Sequence, residues 1–275
     1  MHPVLFHFFG LTIYSYGVLV ATGVLLGMTY ARKIAPRLGV NPEALWNMGI
    51  YTIIVALVLA KVWLVVSQWD YYSAHLGLVF SFQTFQSGGA FYGGIVGAIL
   101  TIVLYTHYQK MPLISVMDVS AASLPLGHAI GRLGCFAAGC CYGKATMVPW
   151  GVEFTNPTAQ QIAGTPLGVH LHPTQLYESA AEFLNFAILY GMVRKQPFKG
   201  QLLGTYFLLY GVERGVIEFF RGDPGRTMMF HDSVSLMQIV SVCLILTGSF
   251  LWIRGLRGAA TGARVPTKPA TSGRA

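Results

Sequence analysis

The stretch GHAIGRLGCFAAGCCYG, from Gly127 to Gly143, decides how the chain is interpreted. It sets an arginine and three cysteines among glycines, at the end of an apolar segment long enough to cross a bilayer. Backbone polar groups cannot stay unpaired in hydrocarbon, so an irregular stretch at this depth must be buried in protein or line a water-filled cavity. A charge there is costly, and the sequence therefore predicts a functional site around Arg132.

The composition is that of a membrane protein. Of the 275 residues, 54% are hydrophobic and 10% are charged, against roughly 25% charged in ordinary soluble domains. The net charge of +8 is not gathered in one basic run or face, which argues against a nucleic-acid partner. Residues 1–10 lack a basic region and a cleavage site, so we expect no removable signal peptide.

Seven apolar segments approach the length of about 20 residues that a membrane helix needs. They lie near residues 12–31, 46–66, 90–108, 113–131, 175–193, 202–220 and 234–253. We therefore predict an all-α membrane protein with seven transmembrane helices, formed by a polytopic domain over 1–254 with a small periplasmic head at 132–172. The composition of 255–275 predicts a disordered, basic cytoplasmic tail.

The distribution of lysine and arginine gives the orientation. Positive residues follow the first, third, fifth and seventh segments: Arg32, Lys33 and Arg37; Lys110; Arg194, Lys195 and Lys199; and Arg254, Arg257, Arg264, Lys268 and Arg274. The loop 68–89 has none. The N-terminus is thus predicted outside and the C-terminus inside, which puts Arg132 and the end of the sixth segment on the outer face. Outer arginines indicate either an anionic partner or snorkelling and structural pairing.

Arg132 stands between Gly131 and Gly134. Glycines allow close backbone approach, and a guanidinium matches phosphate in a bidentate way. A lipid headgroup could therefore contact Arg132 and the neighbouring main-chain amides. A helix end with a snorkelling arginine is the alternative.

A second polar group lies at the end of the sixth segment. Arg214, Glu218 and Arg221 are four and three residues apart, so they share one helix face. Two arginines around one carboxylate would leave a positive face for an anionic ligand, whereas a self-satisfied ion network is the alternative. Glu178 could pair with Arg132 or Arg214, and His172 either fixes the turn before it or joins the site.

The three cysteines of the first stretch are open to three interpretations. Cys135, Cys140 and Cys141 could form a disulfide, hold a metal or pack as small apolar residues. A metal needs four good ligands and finds only thiols plus a distant His128, His170 or His172, so we expect no metal and no cofactor. Tyr16 and Tyr92 are either interfacial tyrosines or part of the site.

Together these motifs resemble the prolipoprotein diacylglyceryl transferases of bacterial inner membranes, over nearly all the predicted spans. Four stretches carry the resemblance: Gly131-Arg132-Leu133-Gly134 with Phe136, Gly139 and Gly143; His172-Pro173-Thr174-Gln175-Leu176-Tyr177-Glu178; Arg214 to Asp223 with Pro224; and Phe91-Tyr92-Gly93-Gly94. The family's fold of seven spans with the N-terminus outside agrees with the predicted topology.

The resemblance implies transfer of a diacylglyceryl group from phosphatidylglycerol to the lipobox cysteine of a prolipoprotein, with release of glycerol phosphate at the periplasmic side of the inner membrane. It assigns Arg132 and Arg214 to the family's essential arginines and Tyr16 to a functional tyrosine. Substrate-binding parts are expected for Gly131, Gly134, Gly143, Arg221, Cys135 and His172, and a catalytic part for Glu218 beside Arg214.

The chain departs from the family at three residues, and one of them replaces the histidine that was the natural candidate for activating the thiol. Tyr92 replaces the histidine before Gly-Gly, Cys135 the signature asparagine and Cys140 a glutamate. We predict that Tyr92, Glu218 or a neighbour removes the proton. Transfer of the same lipid group to another acceptor is the first alternative, and a non-catalytic lipid-binding or thiol-redox membrane protein is the second.

Overall fold

The computed structural model describes residues 2–8, 11–79, 91–196, 198–224, 226–229 and 233–262. Its elements are, in chain order, β1 Val4–Phe8, β2 Leu11–Tyr14, α1 Ser15–Ile34, α2 Pro42–Ser67, α3 Trp69–Ala74, α4 Leu76–Val79, α5 Phe91–Tyr108, α6 Leu113–Ala138, β3 Val152–Glu153, α7 Pro157–Ala163, β4 His170–Leu171, α8 Thr174–Met192, α9 Gln201–Glu218, β5 Met228–Met229, β6 Val234–Ser235 and α10 Leu236–Gly262. The protein is mostly helical, as predicted. The strands add three antiparallel two-stranded ribbons, β1–β2, β3–β4 and β5–β6, to the all-α expectation.

Four helices of the described chain are long and apolar enough to cross a membrane, judged by length and composition. They are α1 with the turn that follows it, α2, α6 and α10. Helix α5 is apolar but shorter. The segments predicted as the fifth and sixth spans correspond to α8 and α9, which bury charged side chains such as Glu178, Glu182 and Arg214. These charges lower the mean hydropathy of α8 and α9, although both helices are long enough to cross a membrane.

Several predicted boundaries differ from those in the structure. Helix α1 begins at Ser15, after the β1–β2 ribbon. Helix α6 continues to Ala138, so most of the stretch expected to be irregular is helical and residues 132–138 of the predicted head belong to a helix. The reason is packing: a Cβ atom at Gly23 of α1 would lie 2.6 Å from the Gly127 carbonyl oxygen. These glycines bring two helices together without ending one.

The predicted tail also starts too early. Helix α10 runs to Gly262, so residues 255–262 are helical, whereas the rest of the predicted tail, 263–275, lies outside the described residues.

The chain forms two compact units, residues 1–29 with 117–275 and residues 30–116. In the unit 30–116, α2 packs against α5. A Cβ atom at Gly93 would lie 2.4 Å from the Leu59 carbonyl oxygen and 2.6 Å from Trp63 Cβ. Gly93 therefore lets α5 pack closely against α2.

The larger unit holds the arginines and cysteines singled out by the sequence. Helix α9 packs against both α8 and α10. Asp118 of α6 fixes the start of α9, because its carboxylate accepts hydrogen bonds from the amides of Gly200, at 2.6 Å, and Leu203, at 2.9 Å. After α6, ribbon β3–β4 and α7 make a small head with a core of Tyr142, Phe154 and Leu171.

Candidate active site

A sharp turn after α6 brings three thiols together. Gly139 and Cys141 both have left-handed backbone angles, with φ of 85° and 59°. The first residues of α8 hold this turn: Thr174 Oγ1 donates to the Cys141 carbonyl at 2.8 Å and Gln175 Nε2 to the Cys140 carbonyl at 2.7 Å. As a result, the sulfur atoms of Cys135, Cys140 and Cys141 all lie within 4.8 Å of one another.

These thiols are unbonded to each other, so the disulfide that the sequence left open is not formed. Cys135 is buried, and Cys140 and Cys141 are half-buried. Hydrogen bonds with Cys135 and Cys140 lower the pKa of the Cys141 thiol, and the positive charges of Arg132 and Arg221 act in the same direction. The turn thus gathers three sulfur donors in a positively charged corner.

Arg132 anchors a buried polar chain between α6 and α8. Its Nη2 atom lies 2.7 Å from Glu178 Oε1, which confirms one of the two pairings predicted for Glu178. Its Nε–H donates to His128 Nε2 at 3.2 Å. That contact leaves the ring proton on His128 Nδ1, which lies 2.6 Å from Glu182 Oε1. Arg132 is therefore held by a carboxylate and an imidazole that are themselves fixed.

A second arginine centre lies at the end of α9. Arg214 Nη2 is 2.8 Å from Glu218 Oε2, as the helical spacing predicts. The other arginine on Glu218 is Arg226, whose Nε lies 2.9 Å from Oε1. The helical spacing had predicted Arg221 as the second arginine beside Glu218, and that prediction is wrong. Arg221 instead forms a bidentate pair with Asp223, at 2.8 and 2.7 Å, because the chain turns away from the helix after Glu218.

The Arg221 pair shapes the charge beside the cysteines. Burial alone would lower the pKa of Arg221, but the Asp223 carboxylate outweighs burial and raises it. Arg221 is tied to the turn through an isolated bridge with Gly143. Its charge is therefore permanent and fixed next to Cys141.

Arg214 carries a donor that remains available. Its side chain is 5% exposed, and its Nη1 atom is buried with no hydrogen-bond partner among the described residues. Arg132 and Arg214 both act electrostatically on Glu178, and both act on Tyr210. Two guanidinium groups therefore converge on one buried region, and one of them has an unused N–H donor. Buried donors are usually paired, so this one indicates a site for an acceptor such as a phosphate oxygen.

Sequence reasoning missed much of the network behind these arginines. Glu182 accepts from Tyr206 at 3.2 Å, and Asn185 Nδ2 donates to Glu213 Oε2 at 2.6 Å. Glu182 and Asn185 lie on α8, four and seven residues beyond Glu178. That spacing puts Glu178, Glu182 and Asn185 on one face of an apolar helix. This spacing was the signal in the sequence that could have indicated the network.

The predicted glycines have different surroundings. Gly131 and Gly134 lie inside α6, so the main-chain contact expected for a headgroup there is wrong: their amides are part of the helix. Gly134 lies against Tyr16, since an added Cβ would be 3.3 Å from the Tyr16 carbonyl oxygen. Gly143 has no room for a side chain, because a Cβ would lie 2.5 Å from His172 Cβ.

The remaining predicted residues divide into two groups. Tyr16 acts electrostatically on the three thiols and on Arg132, so the structure brings it to the site. His172 holds the turn, since its carbonyl accepts from the Gly143 amide at 2.9 Å and its ring lies 3.1 Å from the Tyr177 hydroxyl. Tyr92 is in the first turn of α5, in the unit 30–116, with about half of its surface exposed.

The fold and this site define a multi-pass membrane protein with a buried arginine–carboxylate centre beside a thiol cluster. The chain belongs to the prolipoprotein diacylglyceryl transferase family, whose model matches residues 3–254.

Similar bacterial proteins bear the name of this family. The phosphatidylglycerol–prolipoprotein diacylglyceryl transferase of Clostridium tetani is 35% identical over 254 residues, which cover 92% of this chain and 97% of that protein. The protein of that name from Finegoldia magna is 32% identical over 255 residues, with 92% and 96% covered. The one from Geobacillus kaustophilus is 32% identical over 250 residues, with 91% of each covered. The relatives thus match almost from end to end.

Proposed function

We propose that this protein transfers the diacylglyceryl group of phosphatidylglycerol to the lipobox cysteine thiol of prolipoproteins and releases glycerol phosphate. The observation that carries the proposal is the unused, buried Nη1 donor of Arg214 in the region where Arg132 also converges. The names of its relatives contain this lipid and this kind of acceptor. A phosphodiester is an anion with several acceptor oxygens, and it would satisfy that donor.

The reaction is a nucleophilic substitution at a glycerol carbon. A carbon–sulfur bond forms between the acceptor and the diacylglyceryl group, and the bond from that carbon to the phosphate oxygen breaks. The electron pair of the broken bond goes to the phosphate, where negative charge grows. Fixed guanidinium donors in a site shielded from water stabilise such growing charge most strongly, so Arg132 and Arg214 are proposed to hold the departing phosphate.

The carboxylates are proposed to position these arginines. Glu178 holds Arg132, and Glu218 holds Arg214 while also accepting from Arg226. Each guanidinium then meets the lipid in one orientation, which avoids an entropic cost when substrate binds. Tyr16 and Arg221 are proposed to line the lipid site, together with Gly131, Gly134 and Cys135, whereas Gly143 and His172 support the turn.

Removal of the thiol proton is the step at which this chain departs from its family. The sequence suggests Tyr92, Glu218 or a neighbouring group as the proton acceptor. A phenol hydroxyl is a poor proton acceptor at neutral pH, and Glu218 is already engaged by two arginines. The thiol must then be made more acidic by another group.

We further propose the topology that the charges of the loops predict. All seven long helices would span the bacterial inner membrane, with the N-terminus outside, the C-terminus inside and the site towards the periplasm. Reporter fusions after α1, α5 and α6 would test the sidedness. A cytoplasmic signal for the turn at residues 139–143 would contradict it.

The decisive experiment incubates the purified protein with phosphatidylglycerol and a lipobox peptide and measures the peptide mass. The unchanged protein should add one diacylglyceryl group, and Arg132→Ala and Arg214→Ala should not. Arg32→Ala is a matched control, because that arginine is half exposed and pairs with Glu43 in the other unit. Full activity of both site variants would overturn the proposal, as would no peptide modification by the unchanged protein.

A further inference from the structure

We propose that Cys135, Cys140 and Cys141 form a three-thiolate site for a soft divalent metal ion such as Zn²⁺, whose fourth position takes the thiol of the acceptor. The assignment of the fourth position to the acceptor thiol rests on the proposed function. The metal part rests on the thiol cluster alone.

The spacing of the sulfur atoms fits such a site. A tetrahedral zinc ion with Zn–S bonds of about 2.3 Å places its sulfur ligands about 3.8 Å apart. The three sulfur atoms already lie within 4.8 Å of one another. Rotation of the half-buried Cys140 and Cys141 side chains can close this difference without a change in the helix that carries Cys135.

The number of donors points to an open position. Structural zinc sites are closed by four protein ligands, whereas catalytic sites use three and keep the fourth place for water or substrate. Within the described residues, the cluster contains three cysteines and no histidine, aspartate or glutamate. Burial of Cys135 and partial exposure of Cys140 and Cys141 leave one side of the cluster accessible.

The surroundings suit a negatively charged metal–thiolate centre. Four thiolates on one Zn²⁺ carry a net charge of −2, which would be expensive to bury without compensation. Arg132 and Arg221 both act on Cys141, and Arg132 also acts on Cys135. Each guanidinium is also paired with a carboxylate, Arg132 with Glu178 and Arg221 with Asp223, so the two arginines offset part of this charge.

The backbone of the turn is built for this geometry. Cys141 has a φ of 59°, a conformation that residues other than glycine seldom adopt and that concentrates at functional sites. Thr174 and Gln175 stabilise the turn by donating hydrogen bonds to the Cys141 and Cys140 carbonyls.

The metal would supply the activation that Tyr92 is poorly suited to give. A thiol that coordinates zinc is deprotonated, and its proton passes to water. The metal-bound sulfur then attacks the glycerol carbon, the bond to the phosphate oxygen breaks, and the phosphate leaves with the electron pair. The thioether product is uncharged and binds zinc more weakly than a thiolate, so it dissociates. The metal does not change its oxidation state.

The first test measures metal content. The full-length protein, purified in detergent and incubated with excess ZnCl₂, should retain about one zinc per chain after desalting. Cys135→Ser/Cys140→Ser, which leaves one thiol of the cluster, should retain none while eluting as a folded, monodisperse species. Cys243→Ser, outside the cluster, should bind zinc like the unchanged protein. No zinc on the unchanged protein, or two of the three thiols resistant to alkylation until reduced, would overturn the proposal.

The second test probes the open position without using activity. Protein loaded with Co²⁺ should show thiolate-to-cobalt charge-transfer absorption, which should intensify when a lipobox peptide is added but not with its Cys→Ser version. An unchanged spectrum would refute an open position for the acceptor. Cobalt spectra that respond to the peptide, without lipid transfer, would uphold this site and overturn the proposed function. Transfer by zinc-free protein would uphold that function and overturn this site's part in it.

Discussion

The Nη2 atom of Arg132 lies 2.7 Å from Oε1 of Glu178, and the Glu178 side chain is only 2% exposed. An ion pair with this burial has a characteristic response to mutation. Loss of one partner leaves the other charge buried and uncompensated, at a cost of about 3–5 kcal/mol, whereas replacement of both by apolar residues is often neutral.

We therefore expect Arg132→Met to lower the thermal stability more than Arg132→Met/Glu178→Leu does. The single variant leaves Glu178 with the partly exposed His128, 3.4 Å away, and with the charge of Arg214. Unfolding temperatures in the same detergent, followed by intrinsic fluorescence, provide the measurement. Equal destabilisation by both variants would mean that the pair has no such coupling. Both should be inactive, since each lacks the guanidinium.

Arg214→Lys tests the unused donor. Lysine keeps the positive charge but loses the planar pair of donors, one of which holds Glu218 while the other is free. Removal of one preorganised donor typically costs roughly 10²–10³-fold in rate, so we expect a loss of that size in kcat with the protein still folded.

The matched control for that variant is Arg226→Lys. Arg226 pairs with the same carboxylate but is more exposed, at 19% of its side chain against 5% for Arg214. Its replacement should cost less than tenfold. A larger loss for Arg226→Lys than for Arg214→Lys would reverse the roles assigned to the two arginines.

Local spacing in the sequence predicted part of this site. The Arg214–Glu218 pair follows from a separation of four residues on a helix, and the pairing of Glu178 followed from charges in apolar segments. Glycines were less informative. The sequence suggested that α6 ends near Gly131, but Gly127 and Gly134 serve as contact surfaces against α1 and the helix continues.

Contacts between residues that are far apart in the sequence could not be predicted from the sequence. His128 and Glu182 are 54 positions apart, and their contact requires the packing of α6 on α8. The thiol cluster depends on two left-handed residues and on hydrogen bonds from Thr174 and Gln175, more than 30 positions away. Nothing in the spacing of the cysteines alone distinguishes a cluster from a disulfide or from apolar packing.

Gly143→Ala tests the turn. An added Cβ atom would lie 2.5 Å from both His172 Cβ and the His172 carbonyl oxygen, and 2.8 Å from the Phe220 carbonyl oxygen. Two of these atoms are backbone, so the clash cannot be relieved by rotation of a side chain. We expect a destabilisation of about 1–3 kcal/mol and a loss of metal retention.

Gly17→Ala, in α1, is the control for this substitution. A Cβ atom there meets nothing within 4 Å, and alanine is the better helix former, so stability should be unchanged or rise by up to about 1 kcal/mol. Thermal unfolding of both variants against the unchanged protein gives the comparison. A Gly143→Ala protein as stable as Gly17→Ala would show that the turn tolerates a side chain.

Tyr92→Phe separates the two routes to the thiolate. If Tyr92 is the general base, loss of its hydroxyl should cost the roughly 10²–10⁴-fold that such catalysis contributes. If the metal acidifies the acceptor thiol, the proton can pass to water and the variant should keep its activity to within about tenfold. We expect the second result, with zinc content unchanged, because Tyr92 is not one of the three sulfur ligands proposed for the metal. The measurement is the rate of lipobox-peptide modification at saturating lipid, with Tyr108→Phe as the control at the far end of the same helix. A Tyr92→Phe protein that binds zinc normally but modifies the peptide a hundredfold more slowly would show that Tyr92 is the general base.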